Sequence, residues 1–421
     1  MHPRPPNLLR ENLNFRRFFV GQAVSLLGDQ ISAIALPLTA VLALQATPVQ
    51  MGALTTAYLV PNLLFSLHLG VWIDRRARRR RTMLLSDLGR ALLTATIPIA
   101  YLLGDVTWGQ MYLISFLVGS LSVVFFLAYG SVFQAIVPRE DYVAASSLLN
   151  GTRGASFLFG TSLGGVLVQL ISGPAALAVD SASYVWSAFF LGRTRFEEPP
   201  PPMESEGGIA FGVRWIRSNA IIRSELIGIA TINFFNYMYS ALLVLYAVQT
   251  LHLRASTLGL LLGTSALGTI FSAYFTGAIA RRLGLGPAFL AGCVVFTAPL
   301  VLVPAAAGPQ WLVIAMLFSA QLLSGIGLMV LDIVAGTINA SVIPIAVRAR
   351  VSGAFTFVNY GVRPAGAALG GVMGSALGMR PTLWFATVAS LLGVVLMLPT
   401  PLRALRTAPE APDAATEAHG A

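Results

Sequence analysis

Charge is scarce in this sequence. Only 10% of the 421 residues are Asp, Glu, Lys or Arg, whereas 56% are hydrophobic and the mean hydropathy is +0.76. Soluble globular domains contain about 25% charged residues. The composition therefore excludes a soluble enzyme and an intrinsically disordered protein, and it predicts a polytopic membrane protein.

Lysine is absent, and cysteine and histidine are rare. All 27 basic residues are Arg, and no GxxxxGK[ST] segment occurs, which excludes a nucleotide-binding loop of that type. The single Cys293 excludes a disulfide framework, and the four His residues are scattered, so we expect no metal site and no cofactor. The net charge of +10 comes from Arg residues between apolar stretches, so we expect no nucleic-acid partner.

Long apolar runs fill most of the chain. Each is long enough for the roughly 20 residues that cross a bilayer as a helix. Twelve runs lie at residues 16–45, 50–73, 82–104, 108–137, 141–171, 175–193, 224–250, 256–280, 286–306, 310–343, 348–377 and 381–400. We therefore predict an all-α protein with twelve transmembrane helices in a lipid bilayer.

The positions of the Arg residues predict the orientation. If the N-terminus is cytosolic, 22 Arg residues lie on the cytosolic side, and only Arg254 and Arg380 lie outside. Arg90, Arg153 and Arg363 lie within the runs. Both termini are therefore predicted to be cytosolic, in the bacterial cell membrane. The first run is longer than a signal-peptide core, so we interpret it as a retained helix.

One sizeable loop, 194–223, separates the first six runs from the last six. Its first part is rich in Pro and Glu, which predicts a stiff cytosolic linker. Ile209, Val213 and Ile216 then form an apolar stripe, which predicts a short helix on the membrane interface. The Ala/Pro/Glu-rich tail, 403–421, is predicted to be disordered.

The two sets of six runs resemble each other. Segment 137–167 aligns with 343–373 at a constant offset of 206 residues. The matches are Pro138 with Pro344, Ser146 with Ser352, Gly160 with Gly366, and Leu163–Val166 with Leu369–Val372. The pattern predicts two six-helix bundles, 1–193 and 224–402, which is the architecture of a secondary transporter with parallel halves.

The segment GVWIDRRARRRR at 70–81 resembles the loop signature of the major facilitator superfamily. The resemblance implies a gate on the cytosolic side, held by charge-assisted hydrogen bonds. Its residues would be Gly70, Asp74, Arg75, Arg78, Asp87 and Arg90. This sequence departs from the family at Ala77, where Gly is usual. The alternative is that the Arg run only sets the membrane topology.

A second motif, GTSLGG at 160–165, resembles the antiporter signature of the drug-exporting branch of that superfamily. Gly160, Gly164 and Gly165 would let two helices approach closely. Thr161 stands where the family has Pro, and the alternative is an ordinary packing contact of small residues. The surrounding segments look like the siderophore (enterobactin-type) exporters and macrolide-efflux proteins.

Charged residues inside a bilayer are energetically costly, so each is a candidate for function. Asp29, Arg153, Asp332 and Arg363 lie well inside predicted spans. A carboxyl group in a poorly hydrated cavity can bind and release a proton as the cavity opens to either side. The alternative is a structural ion pair. For Asp180 and Glu225, which lie near span ends, we favour a structural role. The polar residues expected beside them are Asn150, Asn233, Asn236, Tyr237 and Asn359.

These patterns predict a monomeric, proton-coupled exporter of amphiphilic organic compounds, such as drugs, macrolides or siderophores, working by alternating access. An importer or a lipid translocator is the alternative within transporters, because alternating access is reversible. A non-transporting membrane scaffold or sensor is an alternative of another class. An embedded enzyme is disfavoured, since the chain has no HExxH motif and no paired His or Ser/His arrangement.

Overall fold

The computed structural model describes residues 8–74, 78–196 and 208–407, and every regular element in these ranges is helical. The helices before the loop are α1 (Leu8–Glu11), α2 (Leu13–Ala43), α3 (Pro48–Asp74), α4 (Arg79–Leu103), α5 (Trp108–Ile136), α6 (Tyr142–Leu170) and α7 (Gly173–Arg193). Those from the loop onwards are α8 (Gly208–Ser218), α9 (Ala220–Gln249), α10 (Ala255–Leu283), α11 (Leu285–Thr297), α12 (Leu302–Ala305), α13 (Gln310–Val342), α14 (Arg348–Ala376), α15 (Met379–Ser390) and α16 (Leu392–Met397).

Each apolar run forms a helix whose ends differ from the predicted ends by at most four residues. Two of them are interrupted, between α11 and α12 and between α15 and α16. Nine helical segments among the described residues are long and apolar enough to cross a membrane. The helices α3, α6 and α14 are not among these nine, so the chain is all-helical with multiple spans, and the count of twelve spans stays a prediction.

The helices repeat along the chain as the sequence does. α2 and α3 begin 207 residues before α9 and α10, respectively. α4, α6 and α7 begin 206 residues before α11, α14 and α15. The offset found in one short segment of sequence therefore extends to the starts of five pairs of long helices, whereas α13 begins 202 residues after α5.

The chain forms two compact units. The first contains the described parts of Met1–Met203 together with Ser240–Ala266 and Ala367–Met379. The second contains the described parts of Glu204–Tyr239, Leu267–Gly366 and Arg380–Ala421. In the first unit, α2 packs against α6 and α7, α4 packs against α5 and α7, and α3 packs against α5. The units differ from the predicted bundles, because two segments of the second half pack with the first.

Both units have large apolar cores. In the first unit, Phe15, Phe18 and Met83 are at most 2% exposed and belong to one cluster. In the second unit, α9, α11, α13 and α14 supply a cluster that includes Phe289 and Ile338. Close packing of such side chains stabilises each unit through many weak dispersion contacts between its helices.

The loop helix α8 belongs to the second unit. Ile216 is 4% exposed in the apolar cluster of that unit, whereas Arg214 and Arg217 are exposed. A Cβ atom on Gly212 would lie 2.8 Å from that of Ala354 in α14. Protein therefore covers the buried part of the predicted stripe.

The predicted linker residues 197–207 and the tail from 408 lie outside the described residues. The first residues of the predicted tail, 403–407, are among the described residues, and disorder of the tail stays a prediction. Arg406 donates a hydrogen bond to the carbonyl of Leu283 over 2.6 Å, and the amide of Gly286 donates to the carbonyl of Leu405 over 2.7 Å. These bonds satisfy backbone groups at the end of α10 and the start of α11, which holds this segment against the second unit.

Candidate functional site

Five polar side chains of the first unit form a cluster on three helices. Asp29 comes from α2, Asp87 and Arg90 from α4, and Asp180 and Tyr184 from α7. The last four residues are at most 3% exposed, whereas the Asp29 side chain is 34% exposed. We call these five residues the ionic cluster.

Arg90 lies at the centre of the ionic cluster. It pairs with Asp87, three residues earlier on the same helix face, and its Nη1 atom lies 3.8 Å from Oδ1 of Asp29. Its guanidinium carbon lies 4.5 Å and 4.3 Å from the ring centroids of Phe125 and Tyr184. Two carboxyl groups and two aromatic rings thus hold the only cation of the cluster.

Hydroxyl groups donate hydrogen bonds to Asp29 and Asp180 of the cluster. Tyr184 donates a hydrogen bond to Oδ1 of Asp29 over 2.6 Å. Asp180 accepts hydrogen bonds from Ser32 and, over 3.0 Å, from Ser183. Two of the three carboxyl groups contact the guanidinium group of Arg90, and the third, Asp180, lies within its electrostatic reach. One positive charge therefore faces three acidic groups, and burying excess negative charge is costly. The arrangement is suited to binding a proton.

A second set of polar contacts joins α9 to α14 in the second unit. Nη1 of Arg363 donates to the hydroxyl of Tyr237 over 3.1 Å, and its guanidinium carbon lies 3.7 Å from the ring centroid of Tyr360. Nδ2 of Asn233 donates to Oδ1 of Asn359 over 2.8 Å. These contacts place four of the predicted cavity residues, and Tyr360 with them, between the same two helices.

The other predicted cavity residues are more dispersed. Asp332, on α13, is within electrostatic reach of Arg363. Asn236 lies on α9, and Asn150 is exposed on α6. Arg153 is also exposed, and its guanidinium carbon lies 5.5 Å from the ring centroid of Tyr129 on α5. Within the described residues the Arg that pairs with Asp29 is Arg90, not Arg153.

The glycines of the antiporter-like motif pack against two helices. A Cβ atom on Gly160 would lie 2.6 Å from Cβ of Gln30, and one on Gly164 would lie 3.1 Å from Cα of Ile31, both on α2. A Cβ atom on Gly165 would lie 2.8 Å from Cα of Gly259 on α10. Larger side chains at these positions would force α6 away from both neighbours.

The second half repeats these contacts. A Cβ atom on Gly371 would lie 2.9 Å from Cα of Gly52 on α3, and one on Gly366 would overlap the backbone of Phe234 on α9. Gly366 and Gly371 follow Gly160 and Gly165 by 206 residues. α14 therefore approaches α9 and α3 as α6 approaches α2 and α10, so the repeat is present in the packing as well as in the sequence.

The predicted gate motif is only partly within the described residues. Gly70 and Asp74 belong to the last turns of α3, whereas Arg75 lies outside the described residues. Arg78 precedes α4 and is exposed. The gate therefore stays a prediction, and the two downstream members of the motif belong to the ionic cluster.

Sequence reasoning missed two members of the ionic cluster. Asp180 was expected to have a structural role near a span end, and Tyr184 was not considered. The two are four residues apart on α7 and so lie on one helix face. An acid and a phenol four residues apart inside an apolar run are the feature of the sequence that indicates a polar site on this helix.

The family model described as the Major Facilitator Superfamily matches residues 18–363 and 226–419. The chain belongs to the Major Facilitator Superfamily. It is therefore a multi-pass membrane transporter and not an enzyme. This agrees with the resemblance of the loop segment.

Individual relatives are distant. The multidrug efflux pump Tap of Mycobacterium tuberculosis is 25% identical over 418 residues, covering 91% of this chain and 93% of Tap. The uncharacterized transporter YkuC of Bacillus subtilis is 23% identical over 310 residues, 68% of this chain and 70% of YkuC. The match to YfiS of the same organism, 27% identical, spans 45% of each chain. The siderophore and macrolide branch stays a prediction.

Solved transporter structures share the fold. A bacterial homologue of the human lysosomal transporter Spinster, inward-facing and occupied, has a TM-score of 0.73 at 13% identity and covers 95% of this chain and 98% of its own. A bacterial homologue of the iron transporter ferroportin, inward-facing, has 0.73 at 17% identity, with coverages of 93% and 99%. The nucleoside transporter NupG has 0.72 at 11% identity, with coverages of 92% and 99%. These identities establish the fold alone.

Proposed function

We propose that this transporter is a proton-coupled exporter of amphiphilic organic compounds that works by alternating access. It acts as a monomer in the bacterial cell membrane, with twelve spans and both termini in the cytosol. The observation that supports proton coupling is the ionic cluster on α2, α4 and α7, in which Arg90 contacts two of three carboxyl groups and lies within electrostatic reach of the third.

Asp29 is the carboxyl group that exchanges the proton. It is the exposed member of the ionic cluster, so water reaches it, and it contacts both Tyr184 and Arg90. A proton on Asp29 weakens its attraction to Arg90 and leaves Arg90 paired with the buried Asp87. Proton binding at Asp29 thus weakens the attraction between α2 and α4. The equilibrium between the conformations of the transporter therefore depends on whether Asp29 is protonated.

Two glycine contacts supply the closing surfaces. Gly165 meets Gly259, and Gly52 meets Gly371, near the ends of helices that the predicted orientation places outside. Glycines let helix backbones approach closely without interlocking side chains. In an alternating-access cycle these two contacts separate when the outer side opens and form again when it closes.

The contacts between α9 and α14 supply the groups for substrate. Arg363, Tyr237 and Tyr360 combine aromatic faces with hydrogen-bonding groups, and Phe235 forms an edge contact with Phe385 at 5.8 Å. Such a mixture suits organic compounds with an apolar body and a few polar groups. The similarity to Tap, which is named a multidrug efflux pump, supports this substrate class and the outward direction.

Replacing Asp29 by Asn tests the proposal. Purified protein is reconstituted into liposomes, a pH gradient is imposed, and transport of ethidium is followed by fluorescence. We expect Asp29→Asn to reduce gradient-driven transport at least about tenfold while exchange of ethidium without a gradient persists, because only the titrating group is lost. The matched control is Asp105→Asn, at an exposed residue of the turn after α4.

Unchanged gradient-driven transport by Asp29→Asn would reject the role of this residue. The direction of ethidium movement relative to the proton gradient separates an exporter from an importer. Movement with the protons would overturn the assignment as an exporter and leave the residue's role in coupling in place.

A further inference from the structure

A buried carboxyl group in the second unit does not belong to the ionic cluster. Glu225, on α9, is 1% exposed. Ile222, Leu226 and Cys293 lie in the apolar cluster of the same region. Nδ2 of Asn339, on α13, donates a hydrogen bond to Oε1 of Glu225 over 3.1 Å. No ion pair joins this carboxyl group to an Arg residue in the described part of the chain.

Each partner of this hydrogen bond has one polar atom left over. Oε2 of Glu225 and Oδ1 of Asn339 are both buried and lack hydrogen-bond partners among the described residues. If Glu225 is ionised, both atoms are acceptors and neither satisfies the other. If Glu225 is protonated at Oε2, it becomes a donor, and the amide oxygen is the matching acceptor. A proton shared between Oε2 and Oδ1 would satisfy both atoms and close a cyclic acid–amide pair.

The surrounding charges do not offer a substitute for that proton. Cys293 of α11 lies within electrostatic reach of Glu225 and of Asp332 on α13. The cation that attracts Asp332 is Arg363 of α14. Arg348, also of α14, donates to the carbonyls of Ala340 and Ile343. The cations near this part of the second unit thus have other partners.

We propose that Glu225 is a proton-binding site, held neutral as an acid–amide pair with Asn339 that joins α9 to α13. The site is separate from the ionic cluster, and it does not depend on proton-coupled export. Loss of the proton leaves two acceptors facing each other in an apolar region. Above the pH range in which free glutamate ionises, the folded protein still holds a proton that the unfolded chain has released, so stability falls as the pH rises.

The variant Glu225→Gln tests this inference. Glutamine supplies the acceptor for Nδ2 of Asn339 and, through its own amide group, the donor for Oδ1, so the cyclic pair is kept without a titrating proton. The full-length protein is purified in detergent, without substrate, and its melting temperature is measured between about pH 5 and about pH 9. The control is Glu140→Gln, at an exposed residue before α6.

We expect Glu225→Gln to melt within about 1 °C of the wild type at the acidic end and about 2–4 °C above it at the alkaline end. Glu140→Gln should follow the wild type throughout. Infrared spectra should show the carbonyl stretch of a protonated carboxyl group that Glu225→Gln loses and Glu140→Gln retains. Asn339→Leu should shift that band and lower the melting temperature at acidic pH.

Three results would overturn the inference. The first is that Glu225→Gln fails to fold or melts well below the wild type at acidic pH, which would mean that the ionised carboxylate is required. The second is that its melting temperature has the same dependence on pH as that of the wild type. The third is that no carboxyl band is lost. None of these measurements involves transport, so they leave the test of the proposed function unaffected.

Discussion

The two halves of the repeat share their packing and differ in their charge. α2, α4 and α7 supply the ionic cluster, and α9, α11 and α15 are their counterparts at offsets of 206 to 207 residues. The residues at the matched positions in the second half are Asn236, Cys293, Phe296, Ala386 and Ser390. None of these is ionised at neutral pH in its ordinary state. The same helix positions thus form an ionic centre in one half and a neutral one in the other.

The interior acids of the second half lie elsewhere. Glu225 has an amide as its partner, and Asp332 faces Arg363 at a distance longer than an ion pair. The glycine contacts, by contrast, are kept in both halves. Helix packing therefore follows the repeat because both halves need the same close approaches, whereas the chemistry has diverged. In the proposed mechanism this assigns proton exchange to the first half and substrate contacts to the second.

The difference in charge between the halves is tested most strongly by removing the cation of the ionic cluster, which should cause the largest loss of stability. Arg90→Leu leaves the buried Asp87 without its partner, and breaking a buried pair costs about 3–5 kcal/mol in the free energy of unfolding. The measurement is unfolding of the purified protein in mixed detergent micelles. The double variant Arg90→Leu/Asp87→Asn, which is closer to the neutral second half, should recover most of the loss. Equal stability of the single variant and the wild type would show that the pair is dispensable.

Placing alanine at the repeated glycine contacts should have a smaller, symmetric effect. Gly165→Ala and Gly371→Ala each push a Cβ atom against a facing glycine, and overpacking of this kind costs about 1–3 kcal/mol. Gly154→Ala on α6 and Gly353→Ala on α14 are the controls, because a Cβ atom at either position meets open space. The controls should be unchanged or slightly more stable, since alanine favours helix. A loss at only one of the two contacts would contradict equivalent packing.

Much of the fold could be predicted because it depends on local patterns. Run length and hydropathy located each long helix, and the offset between Gly160 and Gly366 identified the repeat. The tail after 402 has a composition typical of disorder, whereas its first residues form long-range hydrogen bonds to α10 and α11. Composition reports the average behaviour of a segment and contains no information on which distant atoms it meets.

The candidate site was harder to predict, for the same reason. Asp29 was identified because a charge inside an apolar run is conspicuous. The sequence does not indicate that Arg90 is its ion-pair partner, because the packing of helices distant in sequence decides which charges meet. The sequence places Glu225 near a span end, whereas packing against α11 and α13 buries its side chain. The position of a residue along one helix does not determine whether its side chain is buried, because burial depends on the neighbouring helices.

Two buried tyrosines offer the smallest and most closely matched test of the difference between the halves. Tyr184 and Tyr239 are each 3% exposed, but the hydroxyl of Tyr184 donates to Asp29, whereas that of Tyr239 has no partner in the described part of the chain. Tyr184→Phe removes a hydrogen bond to a charged group, which should lower the free energy of unfolding by about 1.5–3 kcal/mol. Tyr239→Phe removes an unsatisfied hydroxyl and should leave stability unchanged or raise it by about 1 kcal/mol. Thermal melting of both variants in the same detergent compares them directly. Equal losses would mean that the ring environment, and not the carboxyl group of the first half, determines the effect.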